Sequence, residues 1–285
     1  MQYSVRNIKN ITKTVIKRIK MARTITRSMA AILEELELEG ITYVTYQMLE
    51  NLIKKNNIKT STSMFASRLR EKGWFLNTDQ KGVWEYAPAA VAGAYSNNDP
   101  LAPIKTFSIA NPDVISYLTL QTAAWAMGLA DRMPSIIEAA VEEQPKLKIN
   151  PGMRLYTYKT NLETRVVKGV KCLSPEGVIV HIASDPKVIK LWDSCMEWLP
   201  EVVYESEIDR IIKELEGKPE SVRARTGYLL QGMYPNAADA IYKSSNIKSK
   251  NRFGSRTEKA IRNDEKWKIV DTAMPMNPKE MERVK

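Results

Sequence analysis

The stretch "STSMFASRLREKGWFLNTDQKGVWEY", residues 61–86, holds the side chains best suited to chemistry on a polyanion. Phe65, Ala66 and Leu69 recur at helical spacing and define an inward face. Advancing by about 100° per residue from Phe65 leaves Ser63, Ser67 and Arg70 on the opposite side, with Arg68 on its flank. Hydroxyls can bond base edges and guanidinium groups can reach guanine or phosphate, so such a face suits the major groove of DNA. Past Gly73, residues 74–76 and 83–86 read as two strands joined by the polar turn "NTDQKG". The aromatic residues anchor this hairpin on the helices, which leaves Asn77, Thr78, Gln80 and Lys81 at a tip free to touch phosphates. Lys54, Lys55 and Lys59 come just before the helix, whose N-cap is Thr60 or Ser61. Helix and hairpin together read as the recognition helix and wing of a winged helix-turn-helix. The alternative is a small three-helix domain with an ordinary hairpin used for protein contacts.

Other chemistry is thinner. The one histidine, His181, lies in the apolar run "GVIVHIA" and reads as a satisfied structural residue. Cys172 and Cys195 match no zinc spacing and read as buried free thiols. No glycine-rich phosphate loop, paired metal ligands or nucleophile elbow is present, so neither a cofactor nor a metal is expected. Asp113 with Asp185-Pro186-Lys187 imitates the acid-x-lysine arrangement of a metal-dependent nuclease, but Asp185 and Pro186 read as a helix start. Glu205, Glu207, Asp209, Glu214 and Glu216 read as a solvated helix face.

The elements that would position the basic face are three short helices. "SMAAILEELELEG" presents Met29, Ile32, Leu33, Leu36 and Leu38 as an apolar stripe that Gly40 ends, and "TYVTYQMLENLIKKNN" repeats the pattern through Tyr46, Leu49, Leu52 and Ile53. Ahead of them, "MQYSVRNIKNITKTVIKRIKMARTITRS" has eight cationic side chains and no acid, with Ile and Val at spacings of three and four. This arm could lie on nucleic acid, lie on a membrane surface, or pack on its own domain.

Charge follows the same division. The net charge of +10 is distributed as +7 over residues 1–87 (15 Lys and Arg against 8 Asp and Glu), −3 over 88–242 (16 against 19) and +6 over 243–268 (9 against 3). Two basic ends flank an acidic middle, the pattern of a chain whose ends face a polyanion. With 44% hydrophobic and 27% charged residues the chain is that of a folded protein. No apolar run approaches the roughly 18 residues of a membrane span, and no signal peptide is recognisable, so a cytoplasmic protein without a membrane partner is expected.

After the turn-rich joint "AGAYSNNDPLAP" the chain changes character. A helix is expected from Val114 to Gly128, followed by strands in "SIIEAAV", "MRLYTYK", "TRVVKGVKCL" and "GVIVHIA". A helix opening at "DPKVIKLWDSC" comes next, then helices to about residue 243, and the tail from Lys243 reads as a nucleic-acid contact or a poorly ordered appendage. The fold class expected is α+β: a basic arm (1–23), a winged helix-turn-helix (24–88), a mixed α/β C-terminal domain with a helical end (100–243) and a basic tail (244–285).

The order of these phrases, a wing closing on "GVWEYAP", then "ISYLTLQTAAWAMGLADRMPSIIEAAV", then "ASDPKVIKLWDSC", then "RARTGYLLQGMYPN", resembles AbiEi-type antitoxins over roughly residues 35–240. The chain departs from that pattern in ending "AWAMGL" where many relatives carry a histidine before the glycine, and in its basic arm and tail. The resemblance implies a non-enzymatic transcriptional autorepressor that binds double-stranded DNA at repeated sites in its own promoter region. It also implies an antitoxin role in a type IV system, opposite a nucleotidyltransferase-like toxin that is countered without a stable complex. A module that neutralises a toxin by direct binding, and a nuclease, are the alternatives.

Overall fold

The computed structural model describes residues 25–88, 96–147 and 149–282, so the basic arm lies outside the described residues. The class is mixed α+β, and the chain divides into two compact units, Met1–Pro112 and Asp113–Lys285.

In the first unit, α1 (Arg27–Leu38) is capped by Thr26, whose hydroxyl accepts from the Met29 amide at 3.3 Å. It buries Met29, Ile32, Leu33 and Leu36, while Leu38, two residues past Leu36 and so on the opposite side of the helix, stays exposed. Gly40 at φ +62° reverses the chain, and the Ile41 amide bonds the Leu36 carbonyl. Residues 43–45 then form a strand not anticipated from the sequence, β1 (Tyr43–Thr45), and Thr45 caps α2 (Tyr46–Lys55) by accepting from Met48 at 3.1 Å. Helix α2 buries Leu49 and Ile53 and leaves Tyr46 exposed. Ser61, rather than Thr60, caps α3 (Thr62–Glu71), which buries Phe65, Ala66 and Leu69. Gly73 at φ +73° stops α3 as Gly40 stops α1, with the Trp74 amide on the Leu69 carbonyl. The hairpin β2 (Phe75–Asn77) and β3 (Val83–Tyr86) completes an antiparallel sheet of order β1-β3-β2. Trp74, Phe75 and Tyr86 join the three helical stripes in one core. Helix α4 (Ala102–Ala110) packs on β1 and β3, so residues 102–110, which the sequence division gave to the second domain, belong with the first unit.

The second unit is built on a five-stranded mixed sheet of order β6-β5-β4-β8-β7, from β4 (Ser116–Leu118), β5 (Ile137–Val141), β6 (Met153–Thr157), β7 (Arg165–Val167) and β8 (Val170–Cys172). The expected helix from Val114 to Gly128 is instead strand β4 followed by α5 (Leu120–Met127). The larger correction concerns "GVIVHIA", expected as a strand: it is the middle of α6 (Pro175–Ser184), started by Ser174 as N-cap and Pro175 in the first turn. Every residue from Pro175 to Ala183 is buried, and an apolar run buried on all sides carries no period that separates strand from helix. Asp185 and Pro186 open only a 3-10 turn, Pro186–Val188, before the short helices α7 (Trp192–Cys195) and α8 (Leu199–Tyr204). Helices α9 (Ile208–Glu214), α10 (Glu220–Leu230) and α11 (Pro235–Lys243) follow, and α8, α9 and α10 cover α6.

The basic tail is not an appendage. Strands β9 (Asn251–Phe253), β10 (Arg262–Asp264) and β11 (Ile269–Asp271) form a sheet of order β10-β11-β9 against α10. Its anchors are the fully buried Trp267 and Phe253 and the buried carboxylates Asp264 and Asp271, while its lysines and arginines stay exposed or half-buried. Asp271 holds the sheet to α10: its Oδ2 accepts from Tyr228 Oη at 2.8 Å and from Arg262 Nη1 at 2.7 Å. The Arg262 fork also donates to the carbonyls of Met274, Pro275 and Met276. The Trp267 ring lies against Gly227 with no room for a Cβ. Gly227→Ala is therefore expected to lower unfolding free energy by about 1–3 kcal/mol through overpacking and to speed proteolysis within 244–282. Denaturant unfolding and limited proteolysis check both; an unchanged cleavage pattern would mean that Trp267 does not hold the tail down.

Candidate nucleic-acid interface

Helix α3 presents the expected face. Ser63, Arg68 and Arg70 are exposed and Ser67 is half-buried at its edge, while Phe65, Ala66 and Leu69 hold the other side in the core. Two groups on this face were not singled out in the sequence. Glu71 accepts from Ser67 Oγ at 3.3 Å, and the exposed Met64 receives Arg68 Nη2 on its sulfur at 3.5 Å. Arg70 Nη1 donates to Asn77 Oδ1 at 3.3 Å, which ties the helix to the end of β2.

The hairpin tip is only partly as expected. Lys81 and Asn77 are exposed and Gln80 is half-buried, but the Thr78 hydroxyl is used by the turn itself. It donates to the Val83 carbonyl at 2.8 Å and accepts from the Gln80 amide at 3.2 Å. A hydroxyl two residues before the last turn position closes such a loop locally, and this competes with any outside contact.

The lysines divide. Lys54 pairs with Glu50 one turn earlier at 3.3 Å, and with Tyr46, Thr60 and Ser61 it lines a groove of about 340 Å³ between α2 and the start of α3. Lys55 points away from that groove and pairs with Glu35 of α1 at 2.7 Å, so it fastens α2 to α1. The pair draws the Glu35 carboxyl below its ordinary range and the Lys55 ammonium above. Lys59 is exposed beside Thr60. Ser63, Ser67, Arg68, Arg70 and Asn77 thus share one region, and Lys54 and Thr60 share the adjoining groove.

In the second unit, His181 is a structural residue of α6. Its Nδ1 lies 2.7 Å from Thr119 Oγ1, its ring stacks on Tyr158 at 4.4 Å, and burial, aided by Lys218, pulls its pKa down to about 3. Tyr158 in turn donates to Glu214, which also accepts from Thr160 Oγ1 and the Asn161 amide, both at 2.8 Å. Glu214, expected on a solvated face, is fully buried and anchors α9 to the loop after β6. Asp185 accepts from the Lys187 amide at 3.3 Å as the cap of the 3-10 turn, the start-of-turn role expected from its Asp-Pro sequence. Among the described residues no group of three His, Cys, Asp or Glu side chains could hold a metal ion. Cys172 and Cys195 are buried, free thiols.

A second cleft, of about 310 Å³, opens at the start of β5 and β6 between Glu138, Arg154, Ser135, Ser194 and Trp198. Neither charged residue was recognised in the sequence. The signal for Glu138 was there, a lone acid within the apolar strand "SIIEAAV". Burial pushes its carboxyl up to about 7, against the backbone groups of Gln121 and Thr122 and the charge of Arg154, which favour ionisation.

Residues 117–232, from β4 through α10, match the AbiEi antitoxin C-terminal domain, which supports an AbiEi-type antitoxin. The tail sheet that closes on α10 lies beyond the matched residues. The RV2827C protein from Mycobacterium tuberculosis, known as a crystal structure, is similar in fold, with a TM-score of 0.68 and 21% identity over 88% of this chain and 93% of that one. No curated protein matches the chain. Among the described residues, no helix is long and apolar enough to cross a membrane.

His181 and Glu138 are expected to leave opposite marks on stability. Folded His181 resists protonation down to about 3 while an ordinary imidazole titrates at 6.5, so its contribution is complete above 6.5 and is lost as pH falls toward 3. Glu138 is raised from 4.5 to about 7, so its contribution is complete below 4.5 and is lost as pH rises through 7. In urea titrations Glu138→Gln should match the wild type near ~pH 4 and exceed it near ~pH 8. A difference that did not change with pH would mean the carboxylate is not desolvated. His181→Asn should flatten the acid limb.

Proposed function

We propose that residues 24–88 are a winged helix-turn-helix that binds double-stranded DNA, and that the chain is an autorepressor and antitoxin. The AbiEi domain supports the antitoxin role and a non-enzymatic regulator. The observation that carries DNA binding is the face of α3, with Ser63, Ser67, Arg68 and Arg70 opposite the buried Phe65 and Leu69, and with Asn77 of the hairpin bonded to Arg70. Ser63, Ser67 and Arg70 read bases in the major groove, while Arg68, Lys54, Lys59, Thr60, Gln80 and Lys81 contact phosphates. The DNA is the region upstream of the chain's own gene, with repeated sites. The partner is a nucleotidyltransferase-like toxin of a type IV system, countered without a stable complex.

Fluorescence anisotropy with upstream and shuffled DNA at two salt concentrations tests this. Tight binding to the upstream DNA alone, weakened by salt, is expected. Arg70→Ala should cost about 1–3 kcal/mol on the upstream site, and Lys81→Ala should weaken both DNAs alike and lower the salt slope by about 1. Equal loss on both DNAs in Arg70→Ala would reassign that side chain to a phosphate. Absence of binding to either DNA would sink the reading, and co-elution with the toxin on a sizing column would favour direct neutralisation.

A further inference from the structure

Glu138 and Arg154 are register partners on adjacent parallel strands, so their side chains leave the same face of the sheet side by side. Opposite charges so placed ordinarily close into an ion pair. Here they do not: among the described residues each has a different partner. Glu138 Oε2 accepts from the Gln121 amide at 3.1 Å, and Arg154 Nη1 reaches only Tyr156 Oη, at 3.4 Å. The charge of Arg154 acts on Glu138 through space, without a hydrogen bond. The backbone of Thr122 also favours the ionised Glu138, so the carboxylate is held by backbone groups and not by a cation, and Arg154 has no hydrogen bond to a carboxylate among the described residues; both side chains line the 310 Å³ cleft.

The remaining walls are largely apolar, with Pro134, Ile136, Ile189, Leu191 and Trp198; Gln121, Ser135 and Ser194 supply polar edges, and Lys190, also on the rim, donates its ammonium to the Lys187 carbonyl at 3.0 Å. A site with one carboxylate, one guanidinium fork and an apolar wall matches a ligand with one cation, one carboxylate and an apolar group. We propose that this cleft binds a free α-amino acid with an apolar side chain. Its ammonium meets Glu138, its carboxylate meets the planar fork of Arg154, and its side chain lies against Ile136, Ile189 and Trp198. An α-amino acid holds its two charges on either side of one carbon, which suits groups rising from strands about 4.8 Å apart. The volume is at the small end of ligand pockets, about 300–1,000 Å³, and favours one amino acid over a larger cofactor. Burial raises the Glu138 carboxyl to about 7 despite the nearby charge of Arg154, and a directly bonded ammonium from the ligand would favour its ionised form.

Every residue of the cleft belongs to the second unit. The test is calorimetric titration of the full chain with L-leucine, with L-leucinamide, which lacks the carboxylate, and with N-acetyl-L-leucine, which lacks the ammonium. Saturable binding of L-leucine is expected, with affinity reduced about tenfold or more for each analogue, and likewise in Glu138→Gln and in Arg154→Gln. Arg154 is only half-buried, so its variant is expected to fold, and circular dichroism of both variants checks this. Three results would overturn the proposal. They are no saturable heat at millimolar L-leucine, binding of N-acetyl-L-leucine as tight as that of leucine, and unchanged affinity in a folded Arg154→Gln.

Discussion

A helix with no exposed residue from Pro175 to Ala183 has to be covered on every side, and most of the second unit is arranged to meet that demand on α6. Helices α8, α9 and α10 enclose it and α5 touches it, while His181, its one titratable side chain beyond the first turn, is satisfied by Thr119 and stacked by Tyr158. At its first turn Glu176 is buried as well; its Oε1 accepts from the Glu207 amide at the start of α9 at 3.1 Å and is ion-paired with Arg210 Nε at 3.2 Å, while its Oε2 has no hydrogen-bond partner among the described residues. Burying a carboxylate without such partners would cost several kcal/mol, on the order of the whole stability of many domains. The polar contacts inside this unit are thus placed where the covering helices meet α6 or the sheet edge, and Glu214 does the same for the loop after β6.

The first unit is governed by a smaller constraint. Helix α3 has ten residues, of which Thr62, Phe65, Ala66 and Leu69 are committed to the core. That commitment decides which side chains are left outward, and short capped helices leave little freedom to rotate it. The core therefore orients Ser63, Ser67, Arg68 and Arg70 without touching them. The hairpin, anchored by Phe75 and by Trp84 stacked 5.7 Å from it, brings Asn77 to the same region.

How much of this could be read from the residues depended on periodicity and punctuation. The three helices of the first unit were legible because each has an apolar stripe between a hydroxyl cap and a residue that tolerates positive φ: Gly40, Asn57 and Gly73. Strand β1 was not, since three residues running directly into a helix have no period of their own. "GVIVHIA" was misassigned because a helix buried all round looks like a buried strand, and "ISYL" was absorbed into the helix that follows it. In the tail, nine cationic residues over 243–268 masked the few anchors that matter, Phe253, Trp267 and Asp271. At the candidate sites, the α3 face followed from spacing alone. The locking of Thr78 into its turn, the diversion of Lys55 to Glu35 and the alignment of Glu138 with Arg154 depend on contacts between segments that no local pattern encodes.

The notch at Gly227 also sets an order of events. Trp267 lies 40 positions further along the chain than the glycine it covers, and β9 pairs with β11 in parallel only after β10 has passed between them in sequence. During synthesis from the N-terminus, α6 and α10 emerge and can pack while that notch is still open to water. The tail sheet then closes a loop of long sequence separation, which is the slow kind of contact to form. Completion of the second unit is thus timed by the arrival of a single indole ring, and until it arrives the face of α10 remains an apolar surface available to whatever the nascent chain meets first.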